Sequence, residues 1–175
     1  MSASHPIYTI GHSNHEEATF IQLLEKFKVD VLVDVRTLPF SRHAPQFNQK
    51  RIGEPLASAG IRYEYLGNFL GGRPNDHTCY KSGIVPTEWK NLLFEIDYPS
   101  VMKKDFFQEG IKRVIADSKS KVVALMCAEE DPANCHRHHL IGKYLTGLGF
   151  EVLHIHKDGT TQRDEQLLTE PAKKR

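Results

Sequence analysis

No apolar run in this 175-residue chain approaches the ~20 residues that a membrane-spanning helix needs, so the sequence argues against a helical membrane span. Cysteine is scarce: Cys79, Cys127 and Cys135 are an odd number without the spacing of a disulfide framework. A reducing cytoplasm is the simplest home for them. The opening Met1-Ser-Ala-Ser-His-Pro6 lacks the charged and apolar regions of a signal peptide, which leads to the same expectation. An excess of one charge is also missing. Lys and Arg number 23 against 22 Asp and Glu, a formal net charge of +1, so no global field calls for nucleic acid or a lipid surface. Any basic site must be local. Neither Gly-x-Gly-x-x-Gly nor Walker spacing occurs, which excludes the usual dinucleotide and P-loop signatures. There is no internal repeat.

What is present is the pattern of one globular domain: 39% hydrophobic and 26% charged residues over a length that can bury a real core. Ile7–Ile10, Val31–Val35, Ile61–Leu66, Val122–Met126 and Phe150–His156 read as strands. Helical spacing follows several of them, as in Phe20, Leu23, Leu24 and Phe27, or Phe106, Phe107, Ile111, Val114 and Ile115. Ser13 or Asn14 is placed to cap the first helix. A further helix is expected from Phe47 to Ala59, weakened by Gly53 and Pro55, and a short one from Trp89 to Phe94. Alternating strands and helices predict a single-domain α/β fold, doubly wound around a mostly parallel sheet of about five strands with helices on both faces. Residues 1–156 form that domain. Residues 67–86 have the composition of a lid or insertion, and residues 157–175 read as a polar C-terminal tail.

The most informative stretch runs from Val122 to Gly149. An apolar strand is followed by an acidic loop, then by Asp131-Pro132 as a helix start and an apolar stripe from Leu140 to Leu148, with Gly149 to close it. Open α/β sheets bind their ligands at such strand ends. Cys127-Ala-Glu129 and Cys135-His136-Arg137 crowd there. With Thr9-Ile-Gly-His-Ser13, Val33-Asp-Val-Arg36, Pro45-Gln-Phe-Asn48, Gly60-Ile-Arg-Tyr63 and Leu70-Gly-Gly-Arg73, in this order, they resemble the motifs of a bacterial and archaeal family, domain of unknown function family 488. The resemblance covers about residues 7 to 156. It implies a compact α/β fold in which these polar motifs meet at one site, and it implies no particular reaction.

The residues themselves suggest chemistry. Cys135, His136 and Arg137 stand in the first turns of a helix, where free N–H groups, the helix dipole and a guanidinium fork favour an anion; Arg36 and Ser13 can add to that site. The alternative is that Arg137 pairs with Asp34 or Glu129 and ties two strand ends together. Asp34 lies in a buried strand, so it must have a partner. Asp34, Glu129 and His12 are the candidate catalytic groups, two carboxylates and an imidazole for acid–base work, unless the acids merely orient Arg36 and Arg137. Cys135 is expected to carry a lowered thiol pKa, while Cys127 reads as core. The Cys-x7-Cys-His spacing matches no standard zinc knuckle, so no metal ligand is assigned and no cofactor is inferred. Arg42, His43 and Arg51, with Arg73 beyond them and Phe40 and Phe47 interleaved, could hold a nucleic-acid strand; the plainer reading is a solvated loop pinned by its phenylalanines.

Three functions are therefore carried forward. The first is an enzyme, hydrolase or transferase in type, acting on a phosphate-bearing small molecule or nucleic-acid component and needing no membrane. The second is a non-catalytic nucleic-acid-binding module. The third is a cysteine-based redox or metal sensor.

Overall fold

The computed structural model describes residues 4–167. Six strands form one sheet in the order β3-β2-β4-β1-β5-β6. These are β1 (Ile7–Gly11), β2 (Val31–Asp34), β3 (Arg62–Tyr65), β4 (Val123–Cys127), β5 (Val152–Ile155) and β6 (Thr161–Arg163). The first five are parallel and β6 is antiparallel to β5. The α/β fold expected from the sequence is the one observed, with one more strand.

The strands carry continuous apolar runs because both faces of the sheet are covered. Side chains alternate between two cores. Val31, Val33, Val35, Val123, Leu125 and Cys127 pack on one face, while Leu32, Ala124 and Met126 pack on the other. Helices α1 (Glu17–Lys26) and α2 (Gln49–Ser58) cover the second face through Phe20, Leu24, Ile52 and Leu56. The first face is covered by α3 (Gly67–Leu70), α4 (Leu92–Glu95), α5 (Tyr98–Met102), α6 (Asp105–Ser118) and α7 (Lys143–Gly147). Each fully buried Leu, Ile or Phe on these faces contributes roughly 1.5–3 kcal/mol by leaving water. Adjacent β1 and β4 send their following helices to opposite faces. That makes the crevice between their carboxyl ends the switch point at which doubly wound sheets bind ligands.

Local chemistry changes several expected boundaries. Helix α1 starts at Glu17, with Glu16 at its N-cap and no side-chain cap, so neither Ser13 nor Asn14 caps it. Asp131 does accept from the Ala133 amide, but the turn it starts, Pro132–Asn134, is a 3-10 turn. The chain is extended at Cys135 before a π-helical segment, Arg137–Gly142, leads into α7. Helix α2 runs through Pro55. The chain from Lys157 is more than a tail: it adds β6 and a 3-10 turn, Asp164–Gln166, whose Asp164 is buried. The rest of the expected tail, residues 168–175, lies outside the described residues. Among the described residues no helix is long and apolar enough to cross a membrane.

Candidate functional site

The cleft at this switch point has a volume of about 360 Å³ and draws on four motifs: His12 after β1, Arg36 after β2, Gly72 and Arg73 after α3, and Cys127, Glu129, Cys135 and His136 around the end of β4. Leu38, Phe40 and Trp89 complete its rim. These three are among the five exposed large apolar side chains of the described residues, at 64%, 63% and 42% exposure. Exposed apolar side chains are thus concentrated around this one opening.

Arg36 forms the floor. Its Nε donates to Asp34 Oδ1 at 2.9 Å, its Nη2 to Asp34 Oδ2 at 2.6 Å and to the Phe47 carbonyl at 2.7 Å, and its Nη1 to His12 Nε2 at 3.0 Å. A guanidinium has five N–H donors, so four are spent and one, on Nη1, is left for a ligand. Asp34 also accepts from Tyr63 Oη at 2.6 Å and from the Arg36 amide at 3.1 Å. Its carboxylate is fully buried and does not line the cleft. The expected partner of Asp34 is thus Arg36, two residues along the chain, and the acid serves to orient the cation. His12 is pinned as well. Burial lowers its pKa, its Nδ1 donates to the Ser13 carbonyl at 2.9 Å, and its ring stacks on Phe47 at 4.7 Å. A neutral ring donating at Nδ1 must accept at Nε2, which fixes His12 as a support for Arg36.

Arg137 and Ser13 do other work than the anion binding expected of them. Arg137 is completely buried, and its Nη1 and Nη2 donate to the backbone carbonyls of Glu129 and Glu130, the latter at 2.8 Å. It therefore holds the acidic loop in place and pairs with neither Asp34 nor the Glu129 side chain. A glycine is required opposite it, since a Cβ on Gly11 would overlap the Glu129 carbonyl. The amides of His12 and Ser13 extend the β1–β4 pairing, bonding the Cys127 and Ala128 carbonyls at 2.8 and 2.9 Å. They are not free to cradle phosphate.

Glu129 is exposed on the cleft wall, and its carboxylate makes no hydrogen bond or ion pair among the described residues. Arg73, also on the cleft, has no carboxylate partner among the described residues. Its guanidinium lies 4.6 Å over the Trp89 ring, and its amide is tied to Thr37 Oγ1 at 3.0 Å. The segment read as a lid thus supplies one wall of the cleft through Gly72 and Arg73, and residues 89–94 supply more. Sequence reading missed Trp89 as a site residue; a lone tryptophan in an irregular stretch was the available signal.

Cys127 packs in the core at the end of β4, as expected, and Cys135 is buried beside it, but the lowered thiol is Cys127 rather than Cys135. Cys127 is held well below the ordinary thiol range by a hydrogen bond from Cys135 and by the nearby His136 and Arg137, against the cost of burial. Cys135 is pushed well up by burial and by the neighbouring Cys127. His136 Nε2 donates to the Val35 carbonyl at 3.0 Å, and its Nδ1 stands 3.7 Å from Cys127 Sγ and 3.8 Å from Cys135 Sγ. Arg42, His43 and Arg51 lie apart from all of this, exposed on the loop and on α2. Arg51 borders a shallow depression with Glu17, Lys50 and Glu54, a surface of mixed sign. Phe47 is buried and pins its loop, as the plainer reading had it, whereas Phe40 is exposed at the cleft.

Fold and site together define a doubly wound α/β protein with a polar, thiol-bearing cleft at its switch point. The chain belongs to the family described as domain of unknown function DUF488, whose model matches residues 17–144. No curated protein and no solved structure matches it.

Proposed function

We propose that the protein is an enzyme, a hydrolase or transferase, whose substrate carries phosphate and a planar or apolar part, as a nucleotide or nucleic-acid component does. The observation that carries this reading is Arg73, a cleft cation stacked on Trp89 with no carboxylate partner among the described residues. Arg73 and the one unspent N–H of Arg36 would hold the phosphate, and Phe40 and Trp89 would take the planar part. Glu129, which lines the same cleft and is unpaired among the described residues, is the general acid or base. Asp34 and His12 are positioning residues that fix Arg36. His136 and Cys135 line the phosphate end, while Arg137 and Ser13 stay outside it.

A nucleoside mono-, di- and triphosphate series, with inorganic phosphate and short single-stranded oligonucleotides, tests the reading by calorimetry and by product analysis. A nucleotide should bind, and Arg73→Ala should weaken it by at least ~10-fold, the loss expected for a charge-assisted contact. No binding by any member of the series, or binding that Arg73→Ala leaves unchanged, would overturn it. Oligonucleotide binding with steep salt dependence, sensitivity to Arg42 and Arg51, and no turnover would make the protein a nucleic-acid-binding module instead.

A further inference from the structure

We propose that Cys127 Sγ, Cys135 Sγ and His136 Nδ1 form a three-ligand site for a zinc-class divalent cation whose fourth position opens into the cleft. The three ligand atoms lie within 4.8 Å of one another, on side chains that are all buried. The imidazole is already oriented for the task. A carbonyl can only accept, so the 3.0 Å contact between His136 Nε2 and the Val35 oxygen places the ring proton on Nε2 and leaves the Nδ1 lone pair aimed at the two sulfurs. Metal-bound histidines are held in this manner, the far nitrogen donating to a carbonyl or carboxylate.

The distances agree with a metal at the centre. A tetrahedral zinc with bonds of about 2.3 Å to sulfur and 2.0–2.1 Å to nitrogen sets those atoms about 3.6 Å apart. The observed separations are 3.7 and 3.8 Å, longer than a good hydrogen bond and close to that edge. An outer shell is present as well: the Arg137 amide donates to Cys135 Sγ at 3.5 Å, a contact that favours a thiolate. Against the other side of the ring lies Gly72, where a Cβ would stand 2.8 Å from His136 Cγ and Nδ1. All three residues border the cleft, so the remaining position faces the proposed substrate, the arrangement of a catalytic rather than a closed structural zinc. The spacing Cys-x7-Cys-His resembles no knuckle because the ligands come from a strand end, an extended residue and the start of a π-helical segment rather than from one turn.

The site rests on its own geometry and not on the phosphate reading, so the two fail separately. The full-length chain, purified reduced and metal-free, is titrated with cobalt(II) and then with zinc. The expected result is a near-ultraviolet thiolate-to-cobalt charge-transfer band that saturates at about one ion per chain and is displaced by zinc. Cys127→Ser and His136→Ala should each weaken binding at least ~100-fold, while Cys79→Ser and Arg73→Ala leave it intact. Since the wild-type band reports thiolate ligation by itself, a variant that fails to fold does not remove the test. No band from folded, fully reduced wild-type protein would overturn the proposal. So would a band that survives Cys127→Ser, or one lost only on His154→Gln.

Discussion

Two buried groups of three ligand-type side chains lie within a few residues of each other, and they are opposites. His138, His154 and Asp164 form the second. There, Asp164 Oδ1 accepts from His138 Nδ1 at 2.6 Å and from His154 Nε2 at 2.8 Å, and Thr9 Oγ1 donates to His154 Nδ1 at 2.6 Å. The acid and His154 are spent on each other, which ties the segment after β6 to the sheet and to the π-helical segment. In the first group, the lone pair of His136 and two sulfurs face each other at distances too long for strong hydrogen bonds, beside an open cleft. Both groups are buried and both are built of residues that can hold a metal, two thiols and an imidazole in one and two imidazoles and a carboxylate in the other. What separates scaffold from candidate site is whether the hydrogen-bonding capacity is consumed internally.

The largest effect should follow from breaking the closed group. Asp164→Ala removes the buried carboxylate that accepts from His138 and His154. Loss of one partner from such a network costs ~3 kcal/mol or more, and denaturant unfolding of the variant should read that loss. Cobalt binding at Cys127, Cys135 and His136 should be retained in the variant. A stable Asp164→Ala protein would remove the distinction drawn between the two groups.

Acid should act on the same region in two stages. Burial holds the His139 pKa down to about 4 and also lowers that of His154. A histidine whose folded pKa is depressed favours the neutral form, so its contribution to stability is complete above pH 6.5 and is lost as the pH falls from there toward 4. Burial alone would raise the Asp164 carboxyl, but the bonds from His138 and His154 hold it at about 2. Its contribution is complete above the unfolded value of 3.8 and is lost between 3.8 and 2. Thermal melting should therefore begin to decline just below pH 6.5, by on the order of 5 °C before pH 4, and fall again below pH 4. A melting temperature flat from pH 7 to 4 would contradict the neutral-histidine assignment.

How much of this the sequence revealed follows from how local each cause is. Strands β2 and β4 were legible because runs such as Val31–Val35 depend only on burial from both faces. Asp34 had to have a partner, and Arg36 was close enough along the chain to be considered. Strand β6 was not legible: Thr161–Arg163 is three polar residues long, and it pairs only because β5 offers an edge. Arg137 looked like an anion ligand because its neighbours are a loop and a helix start. Its actual acceptors, the Glu129 and Glu130 carbonyls, are backbone groups that no residue type announces. The two histidine-bearing groups were indistinguishable as well, since their difference lies in acceptors supplied by Val35 and Asp164 from distant parts of the chain.

The smallest effect on stability, and the sharpest on function, is expected at Glu129. Its backbone carbonyl holds Arg137, whereas its carboxylate stands free on the cleft wall. Glu129→Gln keeps the backbone and the size of the side chain and removes only the charge and the exchangeable proton. Stability should then stay within ~0.5 kcal/mol of wild type, the usual range for an exposed substitution without partners. Nucleotide affinity should also survive, because Arg73 and Arg36 are untouched. If Glu129 transfers a proton in the reaction, turnover of a substrate found in the nucleotide series should fall at least ~100-fold. Melting, calorimetry and turnover on this one variant separate three roles for the residue. A destabilised variant would mean that the side chain supports the loop after all. One that is stable but binds poorly would make it a substrate contact. Full activity would remove Glu129 from the reaction, leaving the thiol and imidazole cluster as the remaining source of chemistry on that wall.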